Sequence, residues 1–238
     1  MRITLKYLIL TAFTCFQLHS YGQLTLEDIN LDQIHQKKIR KYVECQMKEG
    51  KCQICDIHPS WNSGIDLSSF RKNEMNFFLN GRVQEIWKGY LSSNLSKSWN
   101  EGKISFGLLL RKFPGNIFYH QDQAMEVDTG QVYFLNLRIM LGILNIPVAF
   151  EIISLNQESK TIEFSYIEGN KSLGVQQVKF IDAGDERTEI EHISYFKSDS
   201  RFRDKWLYPI FHRILVNDFH RNMKRLLNQE NILIALAQ

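Results

Sequence analysis

Apolar residues recur at two periods along this chain, and the change from one to the other outlines its elements. From about residue 104 to residue 197 the period is two, as expected of strands whose side chains point alternately to opposite faces. Ile104, Phe106, Leu108 and Leu110 share one parity, as do Tyr133, Leu135, Leu137 and Ile139, then Val148, Phe150 and Ile152, then Ile162, Phe164 and Tyr166. Ile117 to Gln121 gives a short strand after the Pro114-Gly115 turn, Val178 and Phe180 mark another, and Arg187 to Lys197 the last. Turn chemistry at Asn156–Ser159, Glu168–Ser172 and Asp182–Asp185 makes consecutive strands hairpin neighbours, and so antiparallel. From Tyr208 the period lengthens to that of a helix. Tyr208, His212, Leu215, Phe219, Met223 and Leu226 form one stripe, with Arg213, Asn217, Arg221, Lys224 and Asn228 opposite. Ser198-Asp199-Ser200 caps this region, and Pro209 either opens the main helix or kinks a longer one.

The first part of the chain has weaker patterning. Leu26, Ile29, Ile34, Ile39 and Val43 among charged residues predict a helix over residues 23–44, with Asp28, Asn30 and Asp32 as starting caps. Cys45 to Asp66 carries three cysteines, His58-Pro59 and Asn62-Ser63-Gly64, the composition of a loop held by covalent or metal bonds. Residues 23–72 therefore read as an accessory helical extension with a cysteine loop, and 73–238 as the main domain. Phe77, Phe78, Leu79 and Val83 suit a short strand, Val83, Ile86, Trp87, Tyr90 and Leu91 a helix, and Asn94 to Asn100 a second short helix bearing Leu95 and Trp99.

An amphipathic terminal helix needs a partner surface, and the strand series is the only large one the chain offers. The expected fold is α+β: a curved antiparallel sheet wrapped around a long C-terminal helix. Strand, two short helices, further antiparallel strands and a terminal helix is an order that resembles the START-like, or helix-grip, superfamily (SRPBCC, Bet v 1-like) over about Asn73 to Asn228, aided by Glu85-Ile86-Trp87 early in the first helix. The resemblance implies an apolar cavity between sheet and helix, in which most members bind lipids, sterols or polyketide-like compounds and a minority catalyse reactions. No universal catalytic residue exists to carry over.

Composition narrows the remaining choices. The chain has 238 residues with 44% hydrophobic content, enough for one sizeable core plus an accessory segment. Its 29 basic residues, two of them (Arg2 and Lys6) in a leader-like segment, nearly balance 26 acidic ones, so no nucleic-acid surface is expected. Arg2 and Lys6 before an apolar run from Tyr7 through Phe16, then Ser20-Tyr21-Gly22, read as an export signal at 1–22. A retained signal anchor is the competing reading. No later segment is apolar for long enough to span a membrane, so an exported protein, periplasmic or secreted, is expected.

Candidate chemistry centres on two polar residues at apolar positions. His212 lies on the helix stripe and His192 on the inward parity of the last strand, with Thr188, Ile190, Ser194 and Phe196, so both should face one space. Each must bond to protein, water or ligand. Ser194, Tyr195, Tyr166 and Tyr133 are candidate partners, and His120 beside Tyr119 is a third candidate histidine. The two histidines read as satisfied core groups, as ligand-orienting groups, or as an acid–base pair. With Tyr133, Tyr166, Tyr208, Phe150, Phe196 and Phe219 at inward positions, they make up the expected ligand-binding set. No catalytic residue, cofactor or metal is assigned. Cys45, Cys52, Cys55 and His58 allow a disulfide, a Cys₃His zinc site or a redox Cys52-Gln53-Ile54-Cys55 pair, and export favours the disulfide. The expected function is binding of an apolar or amphipathic, lipid-like small molecule. A cyclase- or hydratase-type enzyme using the pocket histidines is one alternative, and a non-catalytic structural or interaction protein is the other.

Overall fold

A computed structural model describes residues 24–93, 95–100, 102–122, 126–139 and 142–236. The predicted leader lies outside the described residues. Eight strands form one antiparallel sheet: β1 (Arg71–Asn80), β2 (Ile104–Arg111), β3 (Asn116–Tyr119), β4 (Gln131–Ile139), β5 (Leu144–Asn156), β6 (Thr161–Tyr166), β7 (Ser172–Asp182) and β8 (Arg187–Ser198). Their order across the sheet is β1-β8-β7-β6-β5-β4-β2-β3. From β2 onward the strands follow mainly by hairpins, while α2 (Val83–Ser92) and α3 (Leu95–Ser98) carry the chain from the β1 edge to the β2–β3 edge. The C-terminal helix α4 (Tyr208–Leu236) lies on the inner face with α2, where Trp87, Tyr90, Phe150, Phe164, Phe180, Met223 and Leu227 form the main core. Gly89 allows α2 to approach α4: a Cβ there would stand 2.2 Å from a Leu227 methyl.

Pro209 lies inside a longer helix. Its ring nitrogen cannot donate and its ring crowds the carbonyl four residues earlier. The chain adapts with a wide π turn at Arg203–Leu207, in which the Tyr208 N–H reaches back to the Arg203 carbonyl. The stripe is also broader than predicted. Besides the expected residues it buries Val216, His220 and Leu227, which continue His212 at helical spacing.

The outer face is covered as well, which alters two expectations. Residues 23–44 do not form one helix. The Asp28 carboxylate accepts the Thr25 N–H and hydroxyl at 2.7 and 2.9 Å, and the Asn30 side chain accepts the Asp32 N–H at 3.1 Å. These local bonds compete with helix propagation, so the expected caps close two separate 3₁₀ turns, Leu26–Asp28 and Leu31–Gln33, before α1 (Lys37–Lys48). Leu26, Ile34, Ile39, Val43, Ile54 and Ile57 pack against Leu108, Leu110, Val132, Phe134 and Ala149 on the sheet's outer side.

The shared parity of Ile104, Phe106, Leu108 and Leu110 does not hold either. A register shift between Phe106 and Leu108 turns Leu109 to the inner core and Leu108 and Leu110 to the outer one. Gly107 permits this, because a Cβ there would stand 2.2 Å from the Ile39 Cδ1 and 3.0 Å from the Phe134 carbonyl oxygen.

No disulfide joins Cys45, Cys52 and Cys55, so that expectation is corrected. Their segment is ordered by other means. Ile54 and Ile57 are buried, Leu26 N–H donates to the Cys52 carbonyl at 2.9 Å, and the Asp56 carboxylate accepts the Cys52 and Gln53 N–H groups at 3.0 and 2.8 Å. At roughly 1.5–3 kcal/mol per fully buried aliphatic side chain, the six named outer-face residues contribute on the order of 10 kcal/mol before chain entropy is subtracted. That does the work expected of a covalent tie. Among the described residues no three of His, Cys, Asp and Glu converge as metal ligands, so the Cys₃His arrangement does not form.

Candidate functional site

β7 and β8 bring Gln176, His192 and Ser194 to the inner face, and α4 sets Tyr208, His212 and His220 opposite them. The three histidines are 2%, 6% and 2% exposed, in the order His192, His212 and His220. They are linked through one amide. Gln176 Oε1 lies 2.8 Å from His192 Nε2 and 2.9 Å from His212 Nε2. His192 Nδ1 lies 2.9 Å from His220 Nε2, whose Nδ1 meets the Tyr90 hydroxyl at 2.9 Å. His212 Nδ1 lies 3.0 Å from Asn73 Nδ2. At the other end of the amide, Gln176 Nε2 donates to the Tyr166 hydroxyl at 2.9 Å, Tyr166 meets the Tyr208 hydroxyl at 2.7 Å, and Tyr208 meets Ser194 Oγ at 3.2 Å.

With the Gln176 and Asn73 amides in this orientation, donor and acceptor counting gives one protonation pattern. A carbonyl oxygen only accepts, so His192 and His212 both carry hydrogen on Nε2. His192 Nδ1 then accepts from His220 Nε2, and His220 Nδ1 accepts from Tyr90. All three rings are neutral. Turning over the Gln176 and Asn73 amides together would reverse every donor and leave each atom equally paired, so the chain has two self-consistent polarities.

The electrostatics agree. Burial holds His212 and His220 near pKa 3, with the neighbouring His212 adding to the effect at His220. Burial, then His220 and His212, pushes His192 well below its usual value. Burial raises the Tyr166 hydroxyl to about 12 and pushes Tyr90 and Tyr208 well above their ordinary value.

This polar chain forms one edge of a cavity of about 60 Å³ whose other walls are apolar, among them Leu135, Val148, Phe150, Phe164, Leu215 and Phe219. A second space of about 40 Å³, bounded by Tyr90, Tyr133 and Met223, shares the walls Trp99, Phe150, Phe164 and Phe219 with the first. Trp99 and Phe219 stack at 4.0 Å and 14° along that boundary.

The structure thus brings His192, His212, Tyr166, Phe150 and Phe219 to the main cavity and Tyr133 to the second. Tyr208 reaches the polar chain through Tyr166, and the expected Phe196 stacks on Tyr208 at 3.6 Å without lining either space. Among the expected partners, Tyr133 bonds instead to Gln131 at 2.8 Å, and Tyr195 points away, because its strand parity is opposite to that of His192 and Ser194. His120 is remote, bonding Asn100 at 2.6 Å near the surface. Gln176 and His220 were missed. Gln176 shares the parity of Val178 and Phe180, and His220 stands four residues after Val216 and eight after His212, so both were visible as polar residues at apolar positions.

No family model matches the chain, and no curated protein does. Solved structures do. Norcoclaurine synthase from Thalictrum flavum, as a point mutant in complex with a transition state analogue, matches with a TM-score of 0.50 at 12% identity, over 68% of this chain and 96% of that one. Ginseng major latex-like protein 151 from Panax ginseng matches with a TM-score of 0.48 at 14% identity, over 66% of this chain and 96% of that one. Identities at this level speak to fold alone. The first of these likenesses, with an eight-stranded antiparallel sheet around a long terminal helix, gives this chain the helix-grip α+β fold of the START-like, Bet v 1-type structures.

Proposed function

We propose that this protein binds an apolar or amphipathic small molecule between the sheet and α4, its polar group directed to the Gln176, His192 and His212 edge. The observation that carries this reading is the composition of the cavity wall, apolar except where that one amide and two neutral rings converge. Apolar lining with a few convergent polar groups is the usual make-up of a small-molecule site. Size limits the ligand. At about 10–15 Å³ per water, the main cavity of about 60 Å³ has room for a few waters. A lipid-like molecule therefore requires the walls to part as well as Trp99 to leave its stack on Phe219, since even joined the two spaces are too small for it. A location outside the cytoplasm is part of this proposal, supported by the export-signal pattern read at 1–22.

Binding is favoured over catalysis by the electrostatics of the site. A general acid or base works best with a pKa near the operating pH, whereas burial holds His212 and His220 near 3. No carboxylate lines either space among the described residues.

Native mass spectrometry of protein purified from its own host, with extraction of the bound compound, tests the proposal. A co-purifying apolar molecule displaced by a fluorescent fatty-acid analogue is the expected result, and W99A should bind the analogue more tightly. Failure of both native and W99A protein to bind the analogue saturably would leave the grip a filled structural core.

A further inference from the structure

The outer face of the sheet carries a second concavity, at the start of α1, whose chemistry differs from that of the inner cavity. It is an open groove of about 590 Å³. Lys37, Lys38 and Lys41 of α1 and Arg138 of β4 supply its charge, and among the described residues no acidic side chain lines it. Among the described residues none of these four cations forms an ion pair with a carboxylate. The Arg138 guanidinium donates to the Gly102 carbonyl at 2.8 Å, which places it without neutralising it.

The lysines occupy the wrong end of their helix by the rules of helix electrostatics. The N-terminal end of a helix is positive and favours anions or capping oxygens. Here the first turn holds no acidic residue, and the cap position, Gln36, provides no side-chain cap. Its amide turns away, donating to Ser105 Oγ at 2.6 Å and the Phe106 carbonyl at 2.7 Å. Two lysines in the first turn of a twelve-residue helix, with a third one turn on, is an arrangement that a bound anion would relieve.

An independent observation lies on the floor of the groove. Asn136, 4% exposed, lines it with Oδ1 lacking any hydrogen-bond partner, although its Nδ2 donates to Asn145 Oδ1 at 2.9 Å. Gln36 Oε1 is a second buried oxygen without a partner on the same wall. An orphaned buried acceptor costs free energy and calls for a donor. A bare anion cannot satisfy these two oxygens and would be repelled by them. The occupant needs negative charge for the lysines and hydroxyl hydrogens for the two amide oxygens.

From this combination we infer that the groove between the start of α1 and strands β2, β4 and β5 binds the phosphate ester of a polyhydroxy compound. The phosphate lies against Lys37, Lys38, Lys41 and the two N–H groups of Lys37 and Lys38, and the Asn136 and Gln36 amides, whose unpartnered oxygens are closed off as they stand, turn to meet its hydroxyls. A free sugar- or glycerol-phosphate and the glycerol phosphate headgroup of a lipid share this chemistry. The site is on the opposite face of the sheet from the inner cavity and is independent of whether that cavity is occupied.

The test is calorimetric titration of the full chain with glycerol 1-phosphate and with ethyl phosphate, which has the same charge and no hydroxyl, alongside sedimentation with phosphatidylglycerol and phosphatidylcholine vesicles. Glycerol 1-phosphate should bind saturably and about tenfold more tightly than ethyl phosphate, in line with two buried acceptors gaining donors. The variant K37E/K41E alters only exposed side chains and should weaken binding by at least about tenfold while leaving the melting temperature unlowered, since an acid at position 37 suits the first turn and one at position 41 relieves repulsion among the cations. Capture by phosphatidylglycerol but not phosphatidylcholine vesicles assigns the headgroup source, and titration without vesicle capture assigns the free ester. Equal affinity for the two esters, unchanged binding in K37E/K41E, or no saturable binding to ester or vesicle would each overturn the inference.

Discussion

Mild acid should unfold this protein far more readily than a chain with solvent-exposed histidines. An unfolded histidine has a pKa near 6.5, whereas burial holds His212 and His220 near 3 and His192 well below its usual value. The folded state therefore binds fewer protons than the unfolded state between these limits. Stability is full above about pH 6.5 and falls as pH drops toward the folded values. Each ring contributes about 1.4 kcal/mol per pH unit in that window, so three rings remove about 4 kcal/mol between pH 7.5 and 5.5. That is a large part of the 5–15 kcal/mol typical of a folded domain. Glu151 acts in the opposite direction, because burial raises its carboxyl and the folded state takes up that proton earlier. Urea unfolding at both pH values, followed by fluorescence of Trp87 and Trp99, measures the difference. Replacing one ring, as in H220N, should cut the pH-dependent part by about a third, whatever it does to stability at pH 7.5. A difference below about 1 kcal/mol across this window would refute the assignment of three neutral buried rings.

Other perturbations separate the parts of the structure. Q176L removes the amide that joins His192, His212 and Tyr166, leaving buried donors without partners. At roughly 1–3 kcal/mol for each unsatisfied group, a loss of at least about 3 kcal/mol in urea unfolding is expected, and a loss under about 1 would show that the amide is not central. G107A forces a Cβ against Ile39 and the Phe134 carbonyl, so it should cost about 1–3 kcal/mol and increase hydrogen exchange in α1 before the inner core responds. C45S/C52S should shift stability by less than about 0.5 kcal/mol, equally with and without reductant, because no disulfide joins these exposed residues. A reductant-dependent melting temperature would contradict that arrangement.

The element order was legible because backbone periodicity is local. A strand was expected at each of the eight observed positions, β1 from an apolar run, β3 from the turn before it and the others from alternation, and the Tyr208 to Leu226 stripe marked the terminal helix, since in each case the side chains of one segment must meet one environment. The placement of His192 and His212 on facing surfaces followed from the same parity. Long-range arrangement did not follow. Leu108 and Leu110 belong to the outer core because of a bulge at Gly107 and a covering helix, Lys37–Lys48, far earlier in the chain, and neither is encoded in the local pattern of β2.

The cysteine segment shows the same division. Spacing and presumed compartment pointed to a disulfide, but chain order there rests on Ile54 and Ile57 finding the outside of the sheet. The sequence by itself determined which residues are strand, which are helix and which polar groups sit on apolar faces, because those depend on neighbours a few residues apart. Only the tertiary structure decided that Gln176 joins two histidines, that His220 extends the chain to Tyr90, and that Arg138 joins three lysines at α1 with no carboxylate of the described residues among them. These depend on distances between residues far apart in the chain, where hydrogen-bond geometry and burial are settled by packing.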